Sequence, residues 1–322
     1  QRQAVVPIGT DDRLLVMTPL YHVYASSMGL FAAAYAAATL VILPRYTPEI
    51  ALTTIGRERI SFFAGSPTIY HGLLAHPLME RTDFSELSLC FSGASALPAK
   101  TLEDWERRTG SVICEGFGQT ETGPVIAANP RDGVRKAGSV GVILPDTEVE
   151  IVDPVDGVTP CAPLQNGEIR VRGPQLMTGY RNRPEETAQT IRDGWLYTGD
   201  IGFIDHDGYL AISDRKKDMV IVSGFNVFPR EIEEVLYTCP GVREVAAFGV
   251  PHVRKGEAIH VHVVAPGLSA GAIEAFLAER LTRYKIPSSV EIVSELPKTA
   301  IGKVDKAALR RAAQADGRAT GP

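Results

Sequence analysis

The sequence predicts an α/β protein: a layered α/β sheet part, a small β-barrel-like part, and a small α+β domain at the C-terminal end. Three observations predict it. Up to about Pro130, short apolar runs alternate with helical patterns. From about Gly138 the texture changes to short strands between Gly, Pro and Asp turns. Beyond "SDRKKDM" come a helical pattern, two strands, a second helix and a last strand.

In the first part, "ISFFAGSP" precedes "TIYHGLLAH", and "LSLCFSGAS" precedes "AKTLEDWERRTG". Each apolar run ends in small residues, which is where open α/β sheets place ligands. The stretch "MGLFAAAYAAATLVIL" approaches the length of a membrane span, but it is mostly alanine and is broken by Gly29, with Pro19 before it. A buried helix running into the strand "TLVIL" is the expectation. In the second part, "TEVEIVD", "GEIRVRG" and "GFIDHDGYLAIS" read as strands. "DHDG" within the last opens like a calcium loop, yet no acid twelve positions on completes it, so a hairpin turn is expected. In the third part, "PREIEEVLYT" carries Ile232, Val235 and Leu236 at helical spacing, followed by "EVAAFGV", "AIHVHVVA", "AIEAFLAERLTRY" and "SVEIVS". His260 and His262 alternate on one strand face, which is expected to be solvated.

The chain has 322 residues, 44% hydrophobic and 22% charged, which suits a globular protein of about two domains. A net charge of −5 gives no general electrostatic ground for binding nucleic acid. The four cysteines, Cys90, Cys114, Cys161 and Cys239, lie far apart with no C-x-x-C pair, so a reduced, cytoplasmic chain is expected. There is no signal-peptide pattern and no initial methionine, and the chain reads as cut from something longer.

The densest chemical signal is "EGFGQTETGP", residues 115 to 124. Glycine lets a ligand approach the backbone, and small-residue loops after strands present N–H groups to phosphate. Phe117 offers a stacking face, Thr120 a hydroxyl for phosphate, and Glu121 a hard oxygen for the Mg²⁺ that accompanies nucleotides. Asp200 in "WLYTGDIG", and Asp214 beside Arg215 after the next strand, are acids at turns that suit a ribose diol. In "LPKTAIGKVDK", Lys303 follows a glycine in an irregular segment, where an ammonium could meet a reacting phosphate.

These segments, with "PLYHVYA", "SGASAL", "GEIRVRGPQLMTGYRNRPEETAQTI" and "DRKKDMVIVSGFNVFPREIEEVL", stand in an order that closely resembles the adenylate-forming superfamily, most of all bacterial fatty-acyl-CoA ligases. The resemblance covers nearly the whole chain. It implies residues 1–214 as the C-terminal portion of a large adenylation domain (1–137 sheet part, 138–214 β-rich part), a hinge at 215–217 and a small mobile domain at 218–322. The implied reaction joins a carboxylic acid to ATP as an acyl-adenylate, expelling pyrophosphate, and passes the acyl group to CoA. Gly93, Ala94 and Ser95, with Glu115, Gly116, Phe117, Gly118 and Gln119, would hold adenine and line the acyl pocket. Thr120 would bind the α-phosphate, Glu121 Mg²⁺, Asp200 and Arg215 the ribose. Lys303 would bridge the α-phosphate and the acid's carboxylate. Tyr21 and His22 would line the acyl pocket with Gly116, Ser223 and Gly224 the path of the CoA thiol, and Lys217 would be the pivot on which the small domain turns between half-reactions.

Two departures qualify the resemblance. The Ser/Thr/Gly-rich phosphate loop that lies upstream of "PLYHVYA" in the family is not among these residues, so the chain alone is expected to be inactive and the assignment to describe a longer parent. Phe117 stands where most relatives carry tyrosine, which keeps stacking and loses a hydroxyl. The apolar, small-residue-rich stretch after His22 suits a medium or long alkyl chain, with an aromatic acid as the alternative. A ligase that hands its adenylate to a carrier protein, and a noncatalytic acyl- or CoA-binding module, are the other readings. A homodimer and peripheral contact with a membrane surface are compatible with the resemblance; a transmembrane segment is not expected.

Overall fold

The computed structural model describes residues 1–298 and 304–315. The chain divides into two compact units, Gln1–Thr198 with Gly202–Ile212, and Gly199–Ile201 with the chain from Ser213 onward.

In the first unit, strands β1 (Arg13–Val16), β2 (Thr39–Ile42), β3 (Phe62–Gly65), β4 (Leu89–Ser92) and β5 (Val112–Phe117) form a parallel layer in the order β2-β1-β3-β4-β5. Parallel strands need crossovers, and the helical patterns supply them. Helix α3 (Pro48–Arg57) starts at Thr47, whose hydroxyl accepts from the Ile50 N–H, with Pro48 in the first turn. Helices α4 (Pro67–Leu74) and α5 (Ala99–Thr109) follow β3 and β4, and α5 stops at Gly110, whose φ of 73° is a left-handed cap. Trp105 of α5 is fully buried, edge-on to Phe63, Tyr70 and Phe84, and its indole N–H donates to the Ser111 hydroxyl at 2.9 Å. That aromatic cluster locks α4 and α5 to one sheet face. On the β4 and β5 strands, burial pushes the Cys90 and Cys114 thiols up to about 12, which makes them inert packing groups.

The alanine-rich stretch departs from its expected burial. It is helical from Val23 to Ala36, as α1 (Val23–Ala25), a π-helical stretch (Ser26–Phe31) and α2 (Ala32–Ala36), and only one face is buried, by Ala25, Met28, Gly29, Ala32 and Ala33. Phe31 and Tyr35 are 64% and 80% exposed. The expected strand within "TLVIL" is present as β2, at the edge of the sheet, and its residues are half-exposed. Among the described residues, no helix is long and apolar enough to cross a membrane.

Strand β5 changes partners midway. Val112 to Glu115 pair in parallel with β4, while Gly116 and Phe117 pair antiparallel with β6 (Ala127–Ala128). The antiparallel part, read as a small barrel, therefore continues the same sheet through β7 (Gly141–Ile143), β12 (Tyr209–Arg215), β11 (Trp195–Ile204), β9 (Gly167–Arg172) and β8 (Glu148–Val152), with β10 (Ile191–Arg192) on β11. The loop joining β11 to β12 is the expected hairpin: Asp205 Oδ1 accepts from the Asp207 and Tyr209 N–H groups, and Gly208 takes a φ of 82°.

The second unit holds a sheet of β13 (Val220–Val222), β14 (Phe225–Val227), β15 (Glu244–His252), β16 (Gly256–Val264) and β17 (Ser289–Ile292), ordered β14-β13-β16-β15 with β17 parallel to β16. Ile259, Val261 and Val263 of β16 face helices α7 (Pro229–Tyr237) and α8 (Ala270–Ala278), in one core with Ile232, Leu236, Ile273 and Leu277. The alternate positions face a second cluster with Phe248, Leu309 and Ala313 under α9 (Lys306–Ala315). This corrects the expectation of a solvated histidine face. His260 is 8% exposed, and His262 lies edge-on to Phe248 at 5.2 Å and 3.6 Å from Glu291.

Candidate nucleotide site

The small-residue loops of the first unit do sit at the carboxyl ends of adjacent parallel strands, the position where open α/β sheets bind ligands. The Gly93 N–H donates to the Gly65 carbonyl at 3.3 Å, and the Tyr24 hydroxyl donates to the Gly65 and Phe91 carbonyls at 3.0 and 3.1 Å. A side chain at Gly93 would stand 2.9 Å from the Tyr24 ring. Ala94 holds a φ of 70°, uncommon for a residue with a Cβ and frequent at ligand-facing turns. Glu115 joins the predicted adenine-lining residues of the two loops: its Oε1 accepts from the Leu97 N–H at 3.0 Å, and it is 8% exposed. Its backbone carbonyl accepts from Asn129. Glu115 thus acts as a clamp that pulls the 93–97 turn onto β5. Glu115→Ala leaves the Leu97 N–H without its acceptor in a buried place, and a loss of about 2 kcal/mol is expected, read from the urea midpoint.

The turn after β5 is built by exclusion. A Cβ on Gly116 would lie 2.3 Å from the Phe91 ring, and one on Gly118 would lie 1.7 Å from the Pro124 carbonyl oxygen. Phe117 is half-buried against the Ile126, Ile169 and Val171 core. Next comes a short 3-10 turn, Thr120–Thr122, capped reciprocally: the Gln119 N–H donates to the Thr122 hydroxyl at 2.8 Å, and the Gln119 side chain accepts from the Thr122 N–H. The Gln119 amide also donates to the Thr198 carbonyl at 2.8 Å. Gly123 ends the turn with a φ of 69°. The result is an exposed Thr120 beside a half-buried Glu121, held by backbone on both sides.

Tyr180 was not singled out by the sequence, although it lies within a quoted motif. Its hydroxyl donates to Glu121 Oε1 at 2.9 Å, and partial burial, then the Glu121 carboxylate, raise its phenol above the ordinary range. The Met177 N–H donates to the Glu121 carbonyl at 2.9 Å. Among the described residues, no three His, Cys, Asp or Glu side chains gather in a metal cage. A single hard carboxylate on an open turn fits Mg²⁺, which takes one or two carboxylates together with substrate phosphates.

Tyr21 and His22 lie at the surface of the first unit. Tyr21 is 86% exposed, and His22 is exposed with its Nδ1 accepting from the Tyr24 N–H at 3.2 Å. Gly116, assigned with them, packs against Phe91 and the Ala127 carbonyl.

In the second unit the predicted ribose pair is brought together: Arg215 Nε lies 3.8 Å from Asp200 Oδ1, and Asp200 is 7% exposed. Asp214, the other acid at a turn, has a different task. Its Oδ2 accepts from the Arg230 N–H at the start of α7 and its Oδ1 from the Arg215 N–H, so it stabilises a helix N-terminus. Lys217 sits in the short turn Lys216–Asp218, whose Asp218 carboxylate accepts from Arg310 at 2.7 Å. Ser223 and Gly224, with φ of 52° and 86°, are the two-residue loop of the β13–β14 hairpin. Both positive φ values match a type I′ turn, so Gly224 is required by backbone geometry. Lys303 lies outside the described residues.

Comparison with known proteins gives the family of the chain. The profile of the family described as AMP-binding enzyme matches residues 1–181, and that of the AMP-binding enzyme C-terminal domain matches 231–303. A long-chain-fatty-acid–CoA ligase of Bacillus subtilis (strain 168) is 40% identical over 299 residues, covering 91% of this chain and 53% of the relative. A feruloyl-CoA synthase of an Amycolatopsis species is 37% identical over 309 residues, covering 94% and 62%. The crystal structure of ATP-bound MatB from Rhodopseudomonas palustris superposes with a TM-score of 0.90 at 35% identity, covering 95% of this chain and 61% of that one. The chain spans about half the length of the first curated relatives it matches. With the AMP-binding profile running over more than half of its residues, the chain belongs to the AMP-binding, adenylate-forming enzyme family.

Proposed function

We propose that the protein carrying this chain converts a carboxylic acid, ATP and CoA into acyl-CoA, AMP and pyrophosphate through an acyl-adenylate, and that the acid is a medium- or long-chain fatty acid. The observation that carries the reading is the Thr120–Glu121 turn, which offers a hydroxyl and a carboxylate side by side on a backbone fixed at both ends. The likeness to long-chain-fatty-acid–CoA ligases at about 40% identity supports the fatty acid.

A carboxylate at neutral pH resists attack by a thiol, and adenylation makes one of its oxygens part of a stable leaving group. The first step is displacement at the α-phosphorus, where positioning and charge neutralisation dominate. Thr120 donates to an α-phosphate oxygen. Glu121 holds Mg²⁺, which when bound neutralises phosphate charge. Asp200 accepts from ribose hydroxyls, with Arg215 beside it, and Lys303 places an ammonium between the α-phosphate and the incoming carboxylate. His22 stands at the carboxylate end of the acid. In the second step Ser223 and Gly224 flank the CoA thiol, with rotation of the small domain about Lys217 between the two.

The feruloyl-CoA synthase likeness favours a second reading, an aromatic acid. Mass spectrometry of products formed from Mg-ATP, CoA and a panel of fatty and aromatic acids separates the two. Fatty acyl-CoA with AMP is expected. Aromatic acyl-CoA alone moves the substrate to the second reading. Acyl-adenylate released to a carrier protein and never to CoA overturns the thiol assignment, and no product from folded protein leaves a binding module.

A further inference from the structure

Tyr180, we propose, is a positioning residue that orients the Glu121 carboxylate for its metal ion; the inference rests on the adenylation reading above. The segment after β9 grips the Thr120–Gly123 turn in three places. The Met177 N–H binds the Glu121 carbonyl at 2.9 Å, the Tyr180 hydroxyl binds Glu121 Oε1 at 2.9 Å, and the Gln175 carbonyl oxygen lies 2.6 Å from where a Cβ on Gly123 would be. Main chain and side chain of one glutamate are thus held by residues three apart.

The tyrosine is itself fixed. Its N–H donates to the Thr187 hydroxyl at 2.9 Å, and that hydroxyl donates to the Arg183 carbonyl at 2.7 Å in the first turn of helix α6 (Pro184–Thr190). Gly179, with a φ of 148°, lets the chain pass Thr187, whose Cγ2 would stand 2.8 Å from a Cβ there. Tyr180, Arg181 and Thr187 wall a shallow surface cleft. The phenol therefore reaches Glu121 from a built position across 59 residues of sequence.

A carboxylate has about four lone-pair directions. One phenol donor fixes the plane of the group, occupies one direction and leaves others for a cation. Mg²⁺ demands near-octahedral geometry, so a carboxylate oriented in advance binds it with less loss of rotamer freedom. Partners that hydrogen-bond a metal-ligating side chain change metal affinity by about 10–100-fold when removed. Tyr180 is partly exposed, which puts its effect at the lower end.

The test uses the full protein and three forms: wild type, Tyr180→Phe and Thr187→Val. The thermal shift given by ATP with Mg²⁺ is compared with that given by ATP with EDTA, and the Mg²⁺ concentration for half-maximal acyl-adenylate formation is measured at saturating ATP. For Tyr180→Phe we expect about a tenfold rise in half-saturating Mg²⁺, a smaller metal-dependent thermal shift, an unchanged ATP-with-EDTA shift, and kcat recovered at high Mg²⁺. Thr187→Val loosens the loop but keeps the phenol, and is expected to raise half-saturating Mg²⁺ clearly less than Tyr180→Phe does. Wild-type metal dependence in Tyr180→Phe overturns the inference alone. Equal loss in both variants, of metal and nucleotide together, also overturns it, because loop rigidity then suffices. No metal-dependent shift in the wild type overturns both the inference and the reading beneath it.

Discussion

Gly118→Ala is expected to destabilise the first unit by about 3 kcal/mol, at the upper end for overpacking, and, on the proposed adenylation reading, to weaken Mg-ATP binding about 100-fold, or about 2.8 kcal/mol at 1.4 kcal/mol per decade. The added Cβ would stand 1.7 Å from the Pro124 carbonyl oxygen, 2.5 Å from its carbon and 2.8 Å from the Val125 Cα. All three are backbone atoms, so no side-chain rotation relieves the contact. The turn must open, and Thr120 and Glu121 lie between the two clashing segments. Their reciprocal cap from Gln119 to Thr122 and the Gln119 link to Thr198 are lost with it. Gly9→Ala is the control: no atom lies within 4 Å of its Cβ position, and a change within about 0.5 kcal/mol is expected. Urea denaturation and a nucleotide thermal shift measure both effects. An unchanged midpoint for Gly118→Ala would show that the turn has slack, and the account of a tightly fixed phosphate-side turn would fail with it.

Why Gly118 is legible in the sequence and Tyr180 is not comes down to range. Glycines and threonines after an apolar run are local signals, and the strands β3, β4 and β5 with their terminal loops follow from them. The Asp205–Gly208 hairpin is local in the same sense, since one carboxylate accepts from N–H groups two and four residues on. The alanine-rich stretch misleads because mean hydropathy ignores direction. Leu30, Phe31 and Tyr35 are exposed while Met28 and Ala32 are buried, and only three-dimensional neighbours decide which of them are covered. His260 and His262 mislead for the opposite reason: alternation places them on one face, but the face is covered by α9 from far along the chain. The change of β5 from parallel to antiparallel pairing at Glu115 and Gly116 has no sequence mark beyond the glycine. The hydrogen bond from Tyr180 to Glu121 has none either, since it depends on how two loops pack.

Lys306→Met is expected to cost about 3–5 kcal/mol at neutral pH, the range for removing one partner of a buried ion pair. Lys306 Nζ lies 2.8 Å from Glu233 Oε1, with side chains only 20% and 14% exposed, and the other bond to that oxygen comes from the Ala247 N–H at 2.8 Å. The pair ties the start of α9 to α7 and β15. Burial alone would lower the lysine, but Glu233, Asp214 and Asp218 around it hold it above its ordinary value. Burial raises the Glu233 carboxyl, and the attraction of Lys306 only partly offsets this. An acid raised by folding binds more protons in the native state than in the unfolded one. Its contribution is therefore fully present below the unfolded value, near 4.5, and is lost as pH rises through the folded value. Taking away Lys306 raises Glu233 further, so the penalty of the variant must be largest at neutral pH and must shrink on acidification as the orphaned carboxylate takes up a proton. Lys306→Met with Glu233→Gln removes the stranded charge while keeping an acceptor for the Ala247 N–H, and is expected to recover most of the loss. Urea midpoints measured from about pH 5 to about pH 8 decide the matter: parallel curves for wild type and Lys306→Met, or a double variant no more stable than the single one, would assign the loss to packing of the lysine stem.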